Sequence, residues 1–316
     1  MIGAATITVT HRAPCEDSTV LSEQWTMIIS VASGKGGTGK TTIATGLATV
    51  LGAGAQLLDC DVEEPNCHLF MKPVISHSET VGVPVPVVDT QKCTLCGTCG
   101  DVCRFSAILL IGKQVLTFPE LCHGCGGCSL LCPEKAITEA PRDIGVVEIG
   151  SSGRIAFAQG RLRIGEAMAP PLIRAVKENI DLEKTAILDA PPGASCPVIQ
   201  TVIGSDFIIM VTEPTPFGLH DLRIAVEAVS ELGIPVGVVV NRAGVGDESV
   251  QEFCLTESIP ILAEIPYDRR IAEAYATGNV LVEAVPQYIP IFMEMMADIE
   301  EIVAAPRSQQ KKKVRA

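Results

Sequence analysis

Gly34-Lys35-Gly36-Gly37-Thr38-Gly39-Lys40-Thr41 fits the pattern G-x4-G-K-[ST]. A strand-like apolar run, Met27-Ile28-Ile29-Ser30-Val31-Ala32, precedes it, and a helical run from Lys40 to Leu51 follows. Strand, loop and helix are the context the motif requires. The glycines leave backbone N–H groups free to cradle phosphate oxygens at a helix N-terminus. Lys40 should reach the β- and γ-phosphates, and the Thr41 hydroxyl should hold Mg2+. Gly34, Gly36, Gly37, Thr38, Gly39, Lys40, Thr41 and Thr42 are the candidate nucleotide-binding residues of this loop.

Outward from the loop, short apolar runs alternate with helical ones. Strands are expected at Gln56 to Cys60, Thr185 to Leu188, Asp206 to Val211 and Pro235 to Val240. Helices are expected at Asp221 to Leu232 and Ile271 to Thr277. Buried strands alternating with helices predict an α/β fold, a doubly wound and mostly parallel sheet covered on both faces. Two strands end in acids. Asp59-Cys60-Asp61 closes one, and Thr185-Ala-Ile-Leu-Asp189-Ala-Pro-Pro-Gly193 closes another. Acids at strand ends beside a phosphate loop suit catalysis, although each alone would serve as a helix cap or turn residue.

Between Val88 and Ala140 the alternation breaks and cysteines crowd in. Two runs match C-x2-C-x2-C-x3-C: Cys93, Cys96, Cys99, Cys103, and Cys122, Cys125, Cys128, Cys132. The offset of 29 residues extends beyond the cysteines, since Cys103-Arg-Phe-Ser-Ala107-Ile108 recurs as Cys132-Pro-Glu-Lys-Ala136-Ile137. This is an internal duplication. Three thiolates two residues apart can wrap one cubane, while the fourth points to the other cluster. The expected sets are Cys93, Cys96, Cys99 with Cys132, and Cys122, Cys125, Cys128 with Cys103. Structural zinc takes four ligands from two separated pairs and leaves a duplicated four-cysteine run unexplained. The segment resembles a bacterial two-cluster ferredoxin, with Arg104 where a proline often follows the fourth cysteine. The expected organisation is an N-terminal extension (1–26), a first part of the P-loop domain (27–88), an inserted small α+β ferredoxin-like domain (89–140), a second part of the P-loop domain (141–306) and a basic tail (307–316). The two ends are expected to be disordered, and translation could start at Met1 or Met27. Within 141–168, Asp143 to Glu148 and Arg154 to Gln159 read as more strand or a hairpin returning to the main domain.

Composition narrows the function. The net charge is −13, and the last ten residues carry five bases and no acid. A body this acidic should repel nucleic acid, and aromatics at 4% argue against a base-stacking platform. No signal peptide or membrane-length apolar window is apparent, so a cytoplasmic protein is expected, without membrane contact. Thirteen cysteines in that setting imply metal or redox chemistry more than disulfides. The isolated Cys60, Cys67, Cys196 and Cys254 read as small buried hydrophobes. The run Ile289 to Ile302 reads as a core-packing terminal helix.

Lys35, a second lysine early in the loop, marks the deviant Walker A group that includes ParA, MinD, Mrp and the nitrogenase iron protein. With the acids and the cysteine insert, the chain resembles MinD/Mrp-like P-loop ATPases over about residues 27–305. The resemblance implies ATP and Mg2+ as ligands, with Lys35 reaching across a dimer interface to the partner's nucleotide. It implies that Asp61 orients the attacking water, that Asp59 lies near Mg2+, that Asp189 is the Walker B acid and that Gly193 begins a switch. Asn241 resembles the family's adenine-contacting asparagine. The expected assembly is a homodimer or a heterodimer with a paralogue. The expected function is an ATP-driven dimer cycle coupled to one-electron transfer through two [4Fe-4S] clusters to an unidentified redox protein. Cluster assembly or delivery is the alternative, and a positioning ATPase with redox-sensing clusters is a third reading.

Overall fold

A computed structural model describes residues 26–305. The expectations for the basic tail and, apart from Thr26, for the N-terminal extension lie outside the described residues. In chain order the elements are β1 (Ile28–Ala32), α1 (Lys40–Leu51), β2 (Ala55–Asp59), α2 (Cys67–Met71), β3 (Val74–Val88), α3 (Thr98–Val102), β4 (Ile108–Ile111), β5 (Gln114–Thr117), α4 (Gly127–Leu130), β6 (Ile137–Ser152), β7 (Ile155–Leu162), α5 (Ala169–Lys177) and β8 (Thr185–Asp189). They continue with α6 (Cys196–Val202), β9 (Phe207–Thr212), α7 (Pro216–Ser230), β10 (Val236–Ala243), α8 (Ser249–Thr256), β11 (Ile261–Pro266), α9 (Arg269–Ala276), α10 (Leu281–Ala284) and α11 (Ile289–Ala304).

The main sheet runs β11-β10-β9-β1-β8-β2-β7-β6-β3. From β11 to β7 every neighbouring pair is parallel. Period-two alternation sends successive side chains to opposite faces. Phe207, Ile209 and Val211 pack with α1 (Ile43, Leu47) and α11 (Phe292, Met295). Ile208 and Met210 pack with α6 (Val202) and α7 (Leu222, Val229). Strands buried on both faces explain the unbroken apolar runs of the sequence. The structure extends α7 back to Pro216, five residues before the expected start. Thr215 caps it, with its hydroxyl accepting from the Gly218 N–H at 3.0 Å, and Pro216 supplies a φ already suited to a helix.

The far edge departs from this pattern. β3 and β6 form an antiparallel ribbon, paired from Val74↔Ser151 to Val88↔Ile137. Only Gly145–Ser152 of β6 also pairs with β7. The remainder runs roughly 25 Å past the sheet at about 3.3 Å per residue. β7 is parallel to β2, so the ribbon leaves at the edge where β1, β2 and β8 end. Ile144 is skipped in the pairing, a bulge whose side chain is fully buried, and bulges bend a ribbon locally. The cysteine segment spans the gap between β3 and β6. β6 begins at Ile137, inside the range expected for the insert. Among the described residues no helix is long and apolar enough to cross a membrane.

Candidate nucleotide site and cysteine centres

The phosphate loop links β1 to α1. Gly39, the residue before α1, has φ of +100°, and a Cβ there would lie 2.5 Å from Asn241 Nδ2. Gly34 is required for a different reason. A Cβ there would lie 2.1 Å from the Asp221 carbonyl oxygen of α7, so this glycine lets the loop pack on a helix. Gly36 has open space around it, and Gly37 has φ of +79°. Lys40 and Thr41 are buried, Thr42 is half-buried, and the buried Thr38 hydroxyl has no hydrogen-bond partner. Asn241 donates its Nδ2 to the Thr38 carbonyl at 2.7 Å. Gly193, with φ of +104°, donates its N–H to the Ser33 carbonyl at 2.9 Å. The segment after β8 therefore touches the start of the loop directly.

Three acids converge beneath the loop. The Thr41 hydroxyl donates to Asp189 Oδ2 at 2.7 Å, and Asp189 Oδ1 is buried without a partner. A hydroxyl and a carboxylate with one bare oxygen are donors that fit Mg2+. Asp59 is fully buried at the end of β2 and accepts the N–H groups of Asp61 (3.1 Å), Asn66 (2.9 Å) and Cys67 (2.9 Å). It thus anchors the segment that leads into α2. The Cys67 thiol donates to Asp189 Oδ2 at 3.3 Å, and donor atoms of Asp59, Cys67 and Asp189 lie within 4.8 Å of one another. Burial, then the charge of Asp189, pushes the Asp59 carboxyl well above its usual range. The same causes, in the same order, push Asp61 to about 7. Burial raises Asp189 as well, opposed by the Thr41 hydrogen bond and by Lys40.

Sequence reading missed the contact of Cys67 with Asp189. Its one signal was position, in the same short segment as Asp59 and Asp61. Of the isolated cysteines, Cys60, Cys67 and Cys254 are buried as expected, but Cys196 is exposed at the start of α6. Lys35 lies in its own chain's surface network, with Nζ 3.4 Å from Glu213, which also pairs with Arg242 at 2.8 Å.

The cysteine segment folds as two similar halves. Positive φ angles fall at Leu95 and Gly124, at Gly97 and Gly126, and at Ser106 and Lys135, each pair separated by the 29-residue offset. Cys103 Sγ accepts from the Ala107 N–H and Cys132 Sγ from the Ala136 N–H, both at 3.3 Å. The halves are laced by Asp89 N–H to Ala136 O (2.7 Å) and Phe118 N–H to Ala107 O (2.8 Å). Cys93, Cys96, Cys99 and Cys132 line one cavity, closed by Val88 and Ile137. In the other half, burial raises the Cys128 thiol and neighbouring Cys122 and Cys125 add to the rise. Cys103 packs against the apolar cluster that contains Cys122. Among the described residues, the Asp59 group is the one whose donor atoms converge at single-ion distance. The insert's sulfurs form no such single-ion group, which counts against a lone zinc ion. The thiols of the insert are donors that iron–sulfur groups take.

Comparison with known proteins bears on the nucleotide-binding domain. The family model for the CobQ/CobB/MinD/ParA nucleotide binding domain matches residues 29–282. The uncharacterized protein MJ0579 of Methanocaldococcus jannaschii is 31% identical over 260 residues, covering 80% of this chain and 90% of its own. The iron-sulfur cluster carrier protein of Aquifex aeolicus is 26% identical over 280 residues, covering 82% of this chain and 62% of its own. The septum site-determining protein MinD of Pyrococcus horikoshii, solved with Mg-ADP, superimposes with a TM-score of 0.54 at 20% identity, over 89% of this chain and 98% of that one. At that identity the likeness is one of fold.

Proposed function

This chain belongs to the CobQ/CobB/MinD/ParA nucleotide-binding family, and from that premise we propose that it is an ATPase whose nucleotide cycle governs one-electron transfer through two [4Fe-4S] clusters. The observation that carries the reading is the direction of the ribbon. β3 and β6 extend past the sheet edge on which the phosphate loop, Asp59 and Asp189 lie. The insert is also joined to the nucleotide site in sequence, because the segment anchored by Asp59 continues through α2 into β3.

In this reading the phosphate loop and Lys40 bind the β- and γ-phosphates. Thr41 and Asp189 hold Mg2+, and Asp59 fixes the segment that carries Asp61. Asp61 orients the attacking water, and Asn241 meets the adenine. Lys35 leaves Glu213 to reach the nucleotide of a second copy, so the active form is a dimer. Cys93, Cys96, Cys99 and Cys132 hold one cluster and Cys122, Cys125, Cys128 and Cys103 the other. When bound, the clusters would supply one-electron carriers. ATP-dependent closure of the dimer then presents or withdraws the ribbon end from a redox protein.

Anaerobic purification should yield about eight iron and eight acid-labile sulfide per chain. Asp61→Ala should keep that content yet lose ATP-stimulated reduction of the partner. Reduction at the wild-type rate in Asp61→Ala would sink gating by hydrolysis. Cluster delivery is a second reading, favoured by the relative that is itself an iron-sulfur cluster carrier protein. Transfer of radiolabelled iron to an apo-ferredoxin supports delivery, and clusters that survive a chelator unchanged count against it.

A further inference from the structure

Arg142 and Glu166 form an ion pair where the ribbon leaves the sheet, with side chains 9% and 2% exposed. The pair is two-pronged. Arg142 Nη1 donates to Glu166 Oε2, and Nη2 donates to Oε1 at 3.3 Å. Arg142 lies on β6 opposite Val83, two residues from the Ile144 bulge. Glu166 lies in the loop after β7 and also accepts the Met168 N–H at 3.1 Å. That loop is tied to the bulge, since the Arg163 N–H donates to the Ile144 carbonyl at 2.8 Å. Burying two charges gives little net stability over a well-packed apolar pair, so the pair calls for a reason beyond the fold.

Two observations bear on the surroundings of the guanidinium. Its Nε is buried and has no hydrogen-bond partner. Its electrostatic neighbours beyond Glu166 are Glu120 and Cys122. The contacts of Cys122 agree. Cys122 shares an apolar cluster with Val83 and Ile144, and its Sγ lies 3.9 Å from the Pro84 carbonyl. Pro84 pairs with Pro141, the residue before Arg142. The Cys122 half therefore rests on the base of the ribbon. The cavity of Cys93, Cys96, Cys99 and Cys132 sits instead at the far end, against Val88 and Ile137.

We propose that Arg142, with Glu166 as its counter-charge, sets the reduction potential of the cluster held by Cys122, Cys125, Cys128 and Cys103 and leaves the other cluster unaffected. This rests on the two-cluster reading above. Reduction adds one electron to a cluster, so a nearby cation favours the reduced form. Glu166 offsets that effect by neutralising the guanidinium. Arg142 is a positioning residue, acting on the cluster through its charge.

The test is a potentiometric titration of the anaerobically purified full chain, followed by EPR, with iron and sulfide counted on every sample. Wild type should titrate in two one-electron steps. Glu166→Gln should move one step to more positive potential and leave the other in place. The reduced-to-oxidised ratio of the affected cluster should rise about tenfold at fixed potential, or about 59 mV for a one-electron couple. The double variant Arg142→Gln/Glu166→Gln leaves no unpaired buried charge. It should move the same step below its wild-type position, because the guanidinium is the member of the pair with Cys122 among its electrostatic neighbours. If Glu166→Gln loses its clusters, the double variant against wild type decides alone. Both steps moving together, or neither moving, overturns the proposal while leaving the two-cluster reading intact. Wild type without iron and sulfide overturns both.

Discussion

Asp61 sits in a field that resists its ionisation. Burial and the neighbouring Asp189 raise its carboxyl from 3.8 to about 7. Such a carboxyl keeps its proton in the folded state where the unfolded chain has already lost it. Folding is then favoured at low pH, and stability declines as pH rises between those two values. In protein free of nucleotide and treated with EDTA, thermal unfolding should show Tm falling as pH rises from about 4 to about 7. Asp61→Asn, which cannot ionise, should flatten that decline, and an equal slope in the variant would contradict the shift. The loop glycines, Lys40 and the acids at Asp59, Asp61 and Asp189 were all visible in the sequence, because strand ends and motif spacing mark them. The anchoring of Asn66 and Cys67 by Asp59 was not visible. It depends on how the chain turns after β2, and no local pattern encodes that turn.

Among the elements, α1 runs from Lys40 to Leu51 as the sequence indicated. α11 likewise buries Phe292, Met295, Met296 and Ile299 from the expected apolar stripe. Gly46 of α1 lets the two helices meet, since a Cβ there would lie 2.6 Å from the Phe292 ring. Phe292→Ala should therefore leave a cavity under the phosphate-loop helix and cost about 3–5 kcal/mol. Urea unfolding measures this, and a loss below about 1 kcal/mol would mean that the site collapses around the gap. β3 escaped the sequence reading. Its stretch includes Ser76, His77, Ser78, Glu79 and Thr80, and also Pro84 and Pro86, all poor signals for a core strand. Proline is tolerated there because β3 is the last strand of the sheet. Residues 141–168 read as further strand or a hairpin, and the structure makes them the antiparallel β6–β7 pair.

In the whole molecule, topology puts nucleotide and cysteine chemistry on one edge. Lys35 lies on that edge and is held by Glu213 of its own chain. Lys35→Ala should leave nucleotide binding intact, because Lys40 and the loop amides remain. It should abolish the ATP-dependent dimer and slow hydrolysis roughly 1,000-fold, the low end for a charge supplied in trans to phosphoryl transfer. Light scattering on a sizing column with and without ATP reads the dimer, and an unchanged ATP-dependent dimer would remove Lys35 from the interface. By itself the sequence determined the parallel nucleotide-binding sheet, the loop that binds phosphate and the duplicated cysteine run. Those features are written in local periodicity and short spacings, which survive any arrangement of the rest. Only the tertiary structure decided which way the insert projects, that the Cys122 half rests on the ribbon base, and that Arg142 meets Glu166. Those facts follow from strand order and the Ile144 bulge, and they join residues that are far apart in the chain. Long-range pairing of this kind has no signature in one chain's local pattern.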